Sequence, residues 1–178
     1  MTDDENTIGV GNALDADERA LAIHEAGHAV VAHALGADLV LVEVYVSCPN
    51  PDDGKMGGGK TCCREPFADD VKSLAVCVAG YKAELAFAAD EQRLANMFER
   101  EGRLAGDSKQ MQELLLRFPE AKRLAALVEG FTLADVNLQA NERAVRDIAD
   151  ALFERRFGEQ ARIEGDELAG LLAEVQTS

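Results

Sequence analysis

The sequence predicts a mostly helical α+β fold. Leucine and alanine dominate a 178-residue chain that is 47% apolar, while aromatics reach only 5% and tryptophan is absent. That balance favours helices over a β-sandwich. Apolar residues recur at helical spacing along most of the chain, and a single β-branched run, Leu39 to Val46, reads as a strand. The expectation is a helical bundle carrying a small β-hairpin or sheet.

Taken in order, residues 1–16 are polar and contain glycine, so they read as a flexible N-terminal tail ahead of one domain over 17–178. The first helix runs from about Asp17 to Leu35, with Gly36 as its C-cap. The strand Leu39–Val46 leads into the turn cluster Pro49-Asn50-Pro51-Asp52-Asp53-Gly54. Lys60 to Cys63 returns as a short strand, which makes a hairpin with a long glycine-rich tip. Pro66 opens a second helix with Phe67, Val71, Leu74, Val78, Tyr81 and Leu85 on one stripe. Ala89 to Gly102 is charged and helical in pattern. A third helix starts near Asp107 and carries Met111, Leu114, Leu115 and Phe118 along one side. Pro119 interrupts it, and one or two helices fill Glu120 to Gly130. Leu133 to Phe157 is a long amphipathic helix ended by Gly158, and Gly165 to Val175 is a short closing helix.

The net charge is −15. Such an acidic surface repels phosphate backbones and anionic lipid, so nucleic-acid and membrane-surface roles are disfavoured. No run reaches the ~18 apolar residues of a membrane span. The first twenty residues are polar and acidic, unlike a secretory signal. The expected location is therefore cytoplasmic, with Cys48, Cys62, Cys63 and Cys77 reduced. The adjacent pair Cys62-Cys63 lacks the C-x-x-C spacing of a zinc ribbon, so neither a disulfide nor a second zinc site is expected.

Function enters through His24-Glu25-Ala26-Gly27-His28, an H-E-x-x-H motif inside the first helix. Residues four apart share a helix face, so both imidazoles reach one ion. Glu25 stands one step round, near the metal but free to act as a base. Two of the three histidines of the chain fall in this motif, within a helix otherwise built from Leu21, Ala22, Ile23, Ala26, Ala29, Val30, Val31 and Ala32. Polar groups in such surroundings are costly unless paired or metal-bound. The chemistry implied is zinc-assisted hydrolysis, most often of a peptide bond, with Glu25 as the catalytic base.

Catalytic zinc takes three protein ligands. His33 lies about 180° round the helix from His24 and about 140° from His28, so it cannot join them. The extended H-E-x-x-H-x-x-G-x-x-H pattern also fails, since Val31 and Ala34 stand where glycine and histidine are needed. The third ligand should be a later carboxylate, and Glu84 and Asp107 are the candidates. Glu84 lies beside the buried stripe of the second helix. Asp107 continues the stripe of Met111, Leu114 and Phe118, although Asp107-Ser108-Lys109-Gln110 also reads as a helix cap.

The segment Glu18 to Val31, with H-E-A-G-H at its centre, resembles the zinc helix of the FtsH family, the membrane-anchored AAA+ zinc metalloproteases. Ala79-Gly80-Tyr81-Lys82-Ala83-Glu84-Leu85 is similar to that family's G-G-R-A-A-E-E, and Asp107 matches its third zinc ligand. The resemblance thus implies zinc held by His24, His28 and Asp107, with Glu84 in a structural role. It covers residues 18 to 175 and is strongest at the zinc helix. Residues 1–17 hold neither an AAA+ domain nor a transmembrane helix, so neither is expected ahead of the segment; extra residues fall within Asp90 to Gly106, and the family's A-T after the ligand aspartate is missing. The expectation is a stand-alone FtsH-like peptidase domain acting on a polypeptide, served by a separate ATPase or by a homo-oligomer.

Two rival readings remain. The fold could serve as a catalytically silent adaptor that binds peptides or a partner. Gly54-Lys55-Met56-Gly57-Gly58-Gly59-Lys60-Thr61 also fits the nucleotide-binding pattern G-x-x-x-x-G-K-[ST]. That pattern requires a strand leading directly in and a helix leading out. Here two prolines lie before it, and Cys62-Cys63-Arg64-Glu65-Pro66 follows, so a hairpin tip near the active site is the preferred reading. The segment from Gly59 to Cys63 would let a substrate add as a further strand.

Overall fold

The computed structural model of the chain describes the backbone of residues 5–49, 56–88, 105–155 and 161–177, and the side chains of 18–44, 58–88, 106–155 and 161–177. It is mostly helical, with a small three-stranded antiparallel sheet. The elements are α1 (Glu5–Ala34), β1 (Leu39–Pro49), β2 (Met56–Cys63), α2 (Asp70–Phe87), α3 (Ala105–Leu115), α4 (Glu120–Ala140), α5 (Glu142–Glu154), β3 (Ala161–Glu164) and α6 (Gly165–Leu172).

Helix α1 is the axis of the molecule. Every residue from Ala20 to Ala32 is buried, as befits a helix that is apolar all round. It is already helical at Glu5, so the expected helix start at Asp17 is corrected: no proline interrupts 5–17, and residues 5–16 continue the helix. Its C-terminus is as expected. Gly36 has φ +94, and its N–H bonds His33 O while that of Ala37 bonds Ala32 O. This paired closure needs a left-handed residue, which glycine supplies without strain.

The sheet order is β2-β1-β3. Val42 and Val44 of β1 and Ala161 and Ile163 of β3 are buried in the same cluster as α1. The opposite face of the central strand carries buried Glu43, flanked by its cross-strand neighbours Lys60 (3.1 Å) and Arg162 (3.8 Å). Strand β2 is longer than Lys60–Cys63 and includes the glycines, because their backbone pairs with β1 (Gly59 with Val44, Gly58 with Tyr45). Strand β3 was not expected: four residues give too short a pattern to read, and pairing with β1 creates the strand.

Helix α2 starts at Asp70 and not at Pro66, because Asp69 caps it by accepting from Val71 N (2.8 Å) and Lys72 N (3.4 Å). Its buried face combines Leu74 and Val78 of the expected stripe with small residues and Glu84, while Leu85 is exposed. Pro119 stands immediately before α4, as expected. Helix α4 then runs through Gly130 without a break, since Gly130 serves contact with Leu74. The break falls instead at Asn141, whose buried side chain bonds Asn137 O and the backbone of Gln176. The charged segment 89–104 and Gly158 lie outside the described residues. Among the described residues no helix is long and apolar enough to cross a membrane.

Candidate metal centre

Helices α1 and α2 cross where neither has a large side chain. A Cβ on Gly27 would stand 2.5 Å from Ala83 Cβ and 2.8 Å from Ala79 O. This close approach sets α2 directly against the two histidines of α1. The rings of His24 and His28 lie edge to face with centroids 4.7 Å apart. Both are buried, as is Glu25 between them.

Asp107 comes from the first turn of α3. The helix begins at Ala105, so Asp107 lies inside it and is not its cap; its carboxylate turns to the histidines instead. His24 Nε2 is 2.9 Å from Asp107 Oδ2 and 3.0 Å from His28 Nε2, and His28 Nε2 is 3.3 Å from Asp107 Oδ2. His24, His28 and Asp107 form a group that can hold a metal ion. His33, in the last turn of α1, is outside it.

The protonation pattern explains why a cation fits. The Nδ1–H of His28 donates to Val76 O at 2.6 Å. A carbonyl only accepts, so in the neutral ring Nε2 carries the lone pair. The Nδ1–H of His24 likewise donates to Glu84 Oε1 at 2.6 Å. Two imidazole lone pairs and a carboxylate oxygen therefore converge, and they need a positive charge between them. Tetrahedral bonds of ~2.0–2.1 Å place donors ~3.3 Å apart, close to the three separations seen here.

Electrostatics agree. Burial opposes a charge on His24, but Asp107, Glu84 and Glu25 outweigh it and raise its pKa to about 10. Burial likewise favours the neutral acid at Asp107, yet the adjoining imidazoles of His24 and His28 hold its carboxyl well below the usual carboxylate range. The cluster thus favours bound positive charge, whether carried by a proton or by a metal ion. Glu25 is pushed up, chiefly by burial, with the histidines acting the other way.

Glu84, the rival third ligand, lies behind His24 on its Nδ1 side and is almost fully buried. That is the position of an outer carboxylate that fixes a ligating imidazole. Gly80 and Gly59 contribute by lacking a side chain, a role the sequence reading did not assign them. A Cβ on Gly80 would lie 2.5 Å from the Nε2 atoms of both histidines, and one on Gly59 would lie 2.5 Å from Glu25 Cγ. A glycine inside a helix of good helix formers, as at Gly80, was the available signal.

A cleft of about 410 Å³ opens beside this cluster, lined among others by Glu25, His28, Thr61, Phe67, Val76 and Asp107. Of the glycine motif, residues 56–61 lie on strand β2, and the next helix starts only at Asp70. A loop that opens a helix, as phosphate binding by this pattern requires, is not formed by these residues. Cys62, Cys63 and Cys77 are free thiols; burial pushes Cys77 up to about 12. No protein-family model matches the chain, and no curated protein sequence matches it.

Proposed function

We propose that this chain is a zinc metalloendopeptidase of the FtsH type, with zinc held by His24, His28 and Asp107 and with Glu25 as the base. The observation that carries the reading is the convergence of His24 Nε2, His28 Nε2 and Asp107 Oδ2 next to a buried glutamate at the wall of an open cleft. Two imidazoles and one carboxylate are a donor set of catalytic zinc.

Zinc bound there would supply Lewis acidity, bringing a coordinated water to a pKa of about 7 and polarising a carbonyl. Glu25 takes a proton from the attacking water as its oxygen bonds to the carbonyl carbon. It then gives that proton to the departing amine as the C–N bond breaks. Burial suits Glu25 to both steps, since its raised pKa makes it a stronger base than an exposed carboxylate. Glu84 and the carbonyl of Val76 hold the two rings so that Nε2 faces inward. Strand β2 forms one edge of the sheet, and its outer side is the place for an extended polypeptide substrate.

The test is metal analysis and turnover on an unfolded polypeptide. Glu25→Gln is expected to keep one zinc per chain and to lose at least ~100-fold in kcat. Asp107→Ala is expected to lose the zinc. A Glu25→Gln variant as fast as the wild type would refute the assigned base, and full zinc content in Asp107→Ala would refute the ligand set.

A further inference from the structure

The glycine-rich motif remains to be explained by chemistry. Its last three residues meet the candidate site from the sheet side. Gly59, Lys60 and Thr61 lie on β2, paired with Val44, Glu43 and Val42 of β1. Lys60 turns to the outer face of the sheet and meets Glu43 at 3.1 Å. Gly59 and Thr61 face α1. The place where a Gly59 Cβ would stand is 2.5 Å from Glu25 Cγ and 2.8 Å from Glu25 Cδ. The side chain of Glu25 thus fills the space that glycine leaves. Two residues on, the Thr61 hydroxyl lies 3.2 Å from Glu25 Oε2 and 3.1 Å from Glu25 O.

We infer that Gly59 and Thr61 form a cradle on the sheet that positions Glu25, with Thr61 holding one carboxylate oxygen so that the other stays available for proton transfer. This rests on the reading of Glu25 as the base. A glutamate on a helix has three side-chain torsions, and its own helix does not fix them. A hydroxyl on a rigid strand can restrain them, because its single hydrogen is shared between the backbone carbonyl and the carboxylate of the same residue. Glycine is needed at 59 because any side chain there would displace Glu25 or the β1 backbone, Glu43 O being only 2.7 Å from the Cβ position. The G-x-x-x-x-G-K-T pattern is then accounted for without a nucleotide: Gly59 makes room, Lys60 pairs with the central strand, and Thr61 orients the base. Thr61 and Gly59 are positioning residues, since neither reaches the reacting atoms except through Glu25.

The experiment compares Thr61→Val, which keeps the shape and removes the hydroxyl, with Thr61→Ser, which keeps the hydroxyl. Zinc content, kcat and KM are measured on the full chain with an unfolded polypeptide substrate. Thr61→Val should lose about tenfold or more in kcat, the scale of a mispositioned catalytic group, with KM and zinc content within about twofold. Thr61→Ser should recover most of that loss, and Thr61→Val should add little in a Glu25→Gln background. Gly59→Ala should likewise lower kcat with zinc retained. Wild-type kcat in Thr61→Val overturns the inference, and so does a Thr61→Ser variant as slow as Thr61→Val. If the wild type and Glu25→Gln show no turnover at all, the peptidase reading fails separately. The cradle is then read from urea midpoints of metal-free protein: Thr61→Val should lower the midpoint more with Glu25 present than in Glu25→Ala, and equal shifts would overturn it.

Discussion

Gly80 contributes to the site by what it lacks. Its missing Cβ would lie 2.5 Å from each histidine Nε2. An ion bonded to both nitrogens at ~2.0–2.1 Å must share that neighbourhood. Gly80→Ala is therefore expected to weaken zinc binding at least ~10-fold while the metal-free helix stays intact, because alanine favours a helix by roughly 1 kcal/mol over glycine. A zinc titration followed by circular dichroism checks both parts. Gly170→Ala, where a Cβ meets nothing within 4 Å, is the matched control. Glu84 acts on the same ion from behind His24. Its Oε1 accepts the His24 Nδ1–H at 2.6 Å, while its Oε2 has no hydrogen-bond partner among the described residues. Glu84→Gln keeps an acceptor for His24 Nδ1–H but removes the charge. Zinc affinity should fall by about 10–100-fold, the usual cost of losing such an outer carboxylate. Competition with a chromophoric chelator reads this, and unchanged affinity would leave Glu84 a packing residue only.

At the scale of elements, the site depends on the α1–α2 crossing. Gly27, Ala79 and Ala83 let the two backbones touch, and the contact brings Val76 O, Gly80 and Glu84 against the histidines. Gly27→Ala adds one methyl where Ala83 Cβ would be at 2.5 Å and Ala79 O at 2.8 Å. Overpacking of this kind costs about 1–3 kcal/mol, which exceeds or cancels the gain in helix propensity. Urea unfolding should show a lower midpoint, together with weaker zinc binding as α2 moves away. Most helices of this bundle were legible because their signals are local. Gly36 and Pro119 mark boundaries through backbone chemistry that needs no distant partner. The misplaced break between α4 and α5 has the opposite origin. Gly130 looked like a stop, but packing against Leu74 keeps it inside the helix, and Asn141 ends α4 through bonds that reach Gln176. Strand β3 was invisible for the same reason, since its four residues become a strand only beside β1.

For the whole molecule, the metal group joins residues 83 and 79 positions apart, His24 to Asp107 and His28 to Asp107. The unfolded chain has no such cluster, so metal affinity becomes folding stability. Metal in thousandfold excess over its Kd adds about 4 kcal/mol, or on the order of 10 °C in Tm for a chain of this size. Chelation should lower the Tm of the wild type by that order. Asp107→Ala should start low and respond little to chelator. Calorimetry with and without chelator decides this, and a chelator-insensitive wild type would remove metal from the stability of the fold.

The sequence by itself determined the helical class, the burial of α1 and the pairing of His24 with His28 around Glu25. These follow from the period of a helix and from the cost of polar groups among apolar neighbours, and both can be counted along the chain. Residue spacing leaves both Glu84 and Asp107 as candidates for the third ligand, and only the family resemblance favours Asp107. Only the tertiary structure set Asp107 on the Nε2 side and Glu84 on the Nδ1 side of His24. It alone brought Thr61 and the bare backbone of Gly59 to Glu25. The physical reason is range: these contacts join residues 34 to 83 apart in sequence, where no local periodicity operates and only the packing of α2, α3 and β2 around α1 decides which atoms meet.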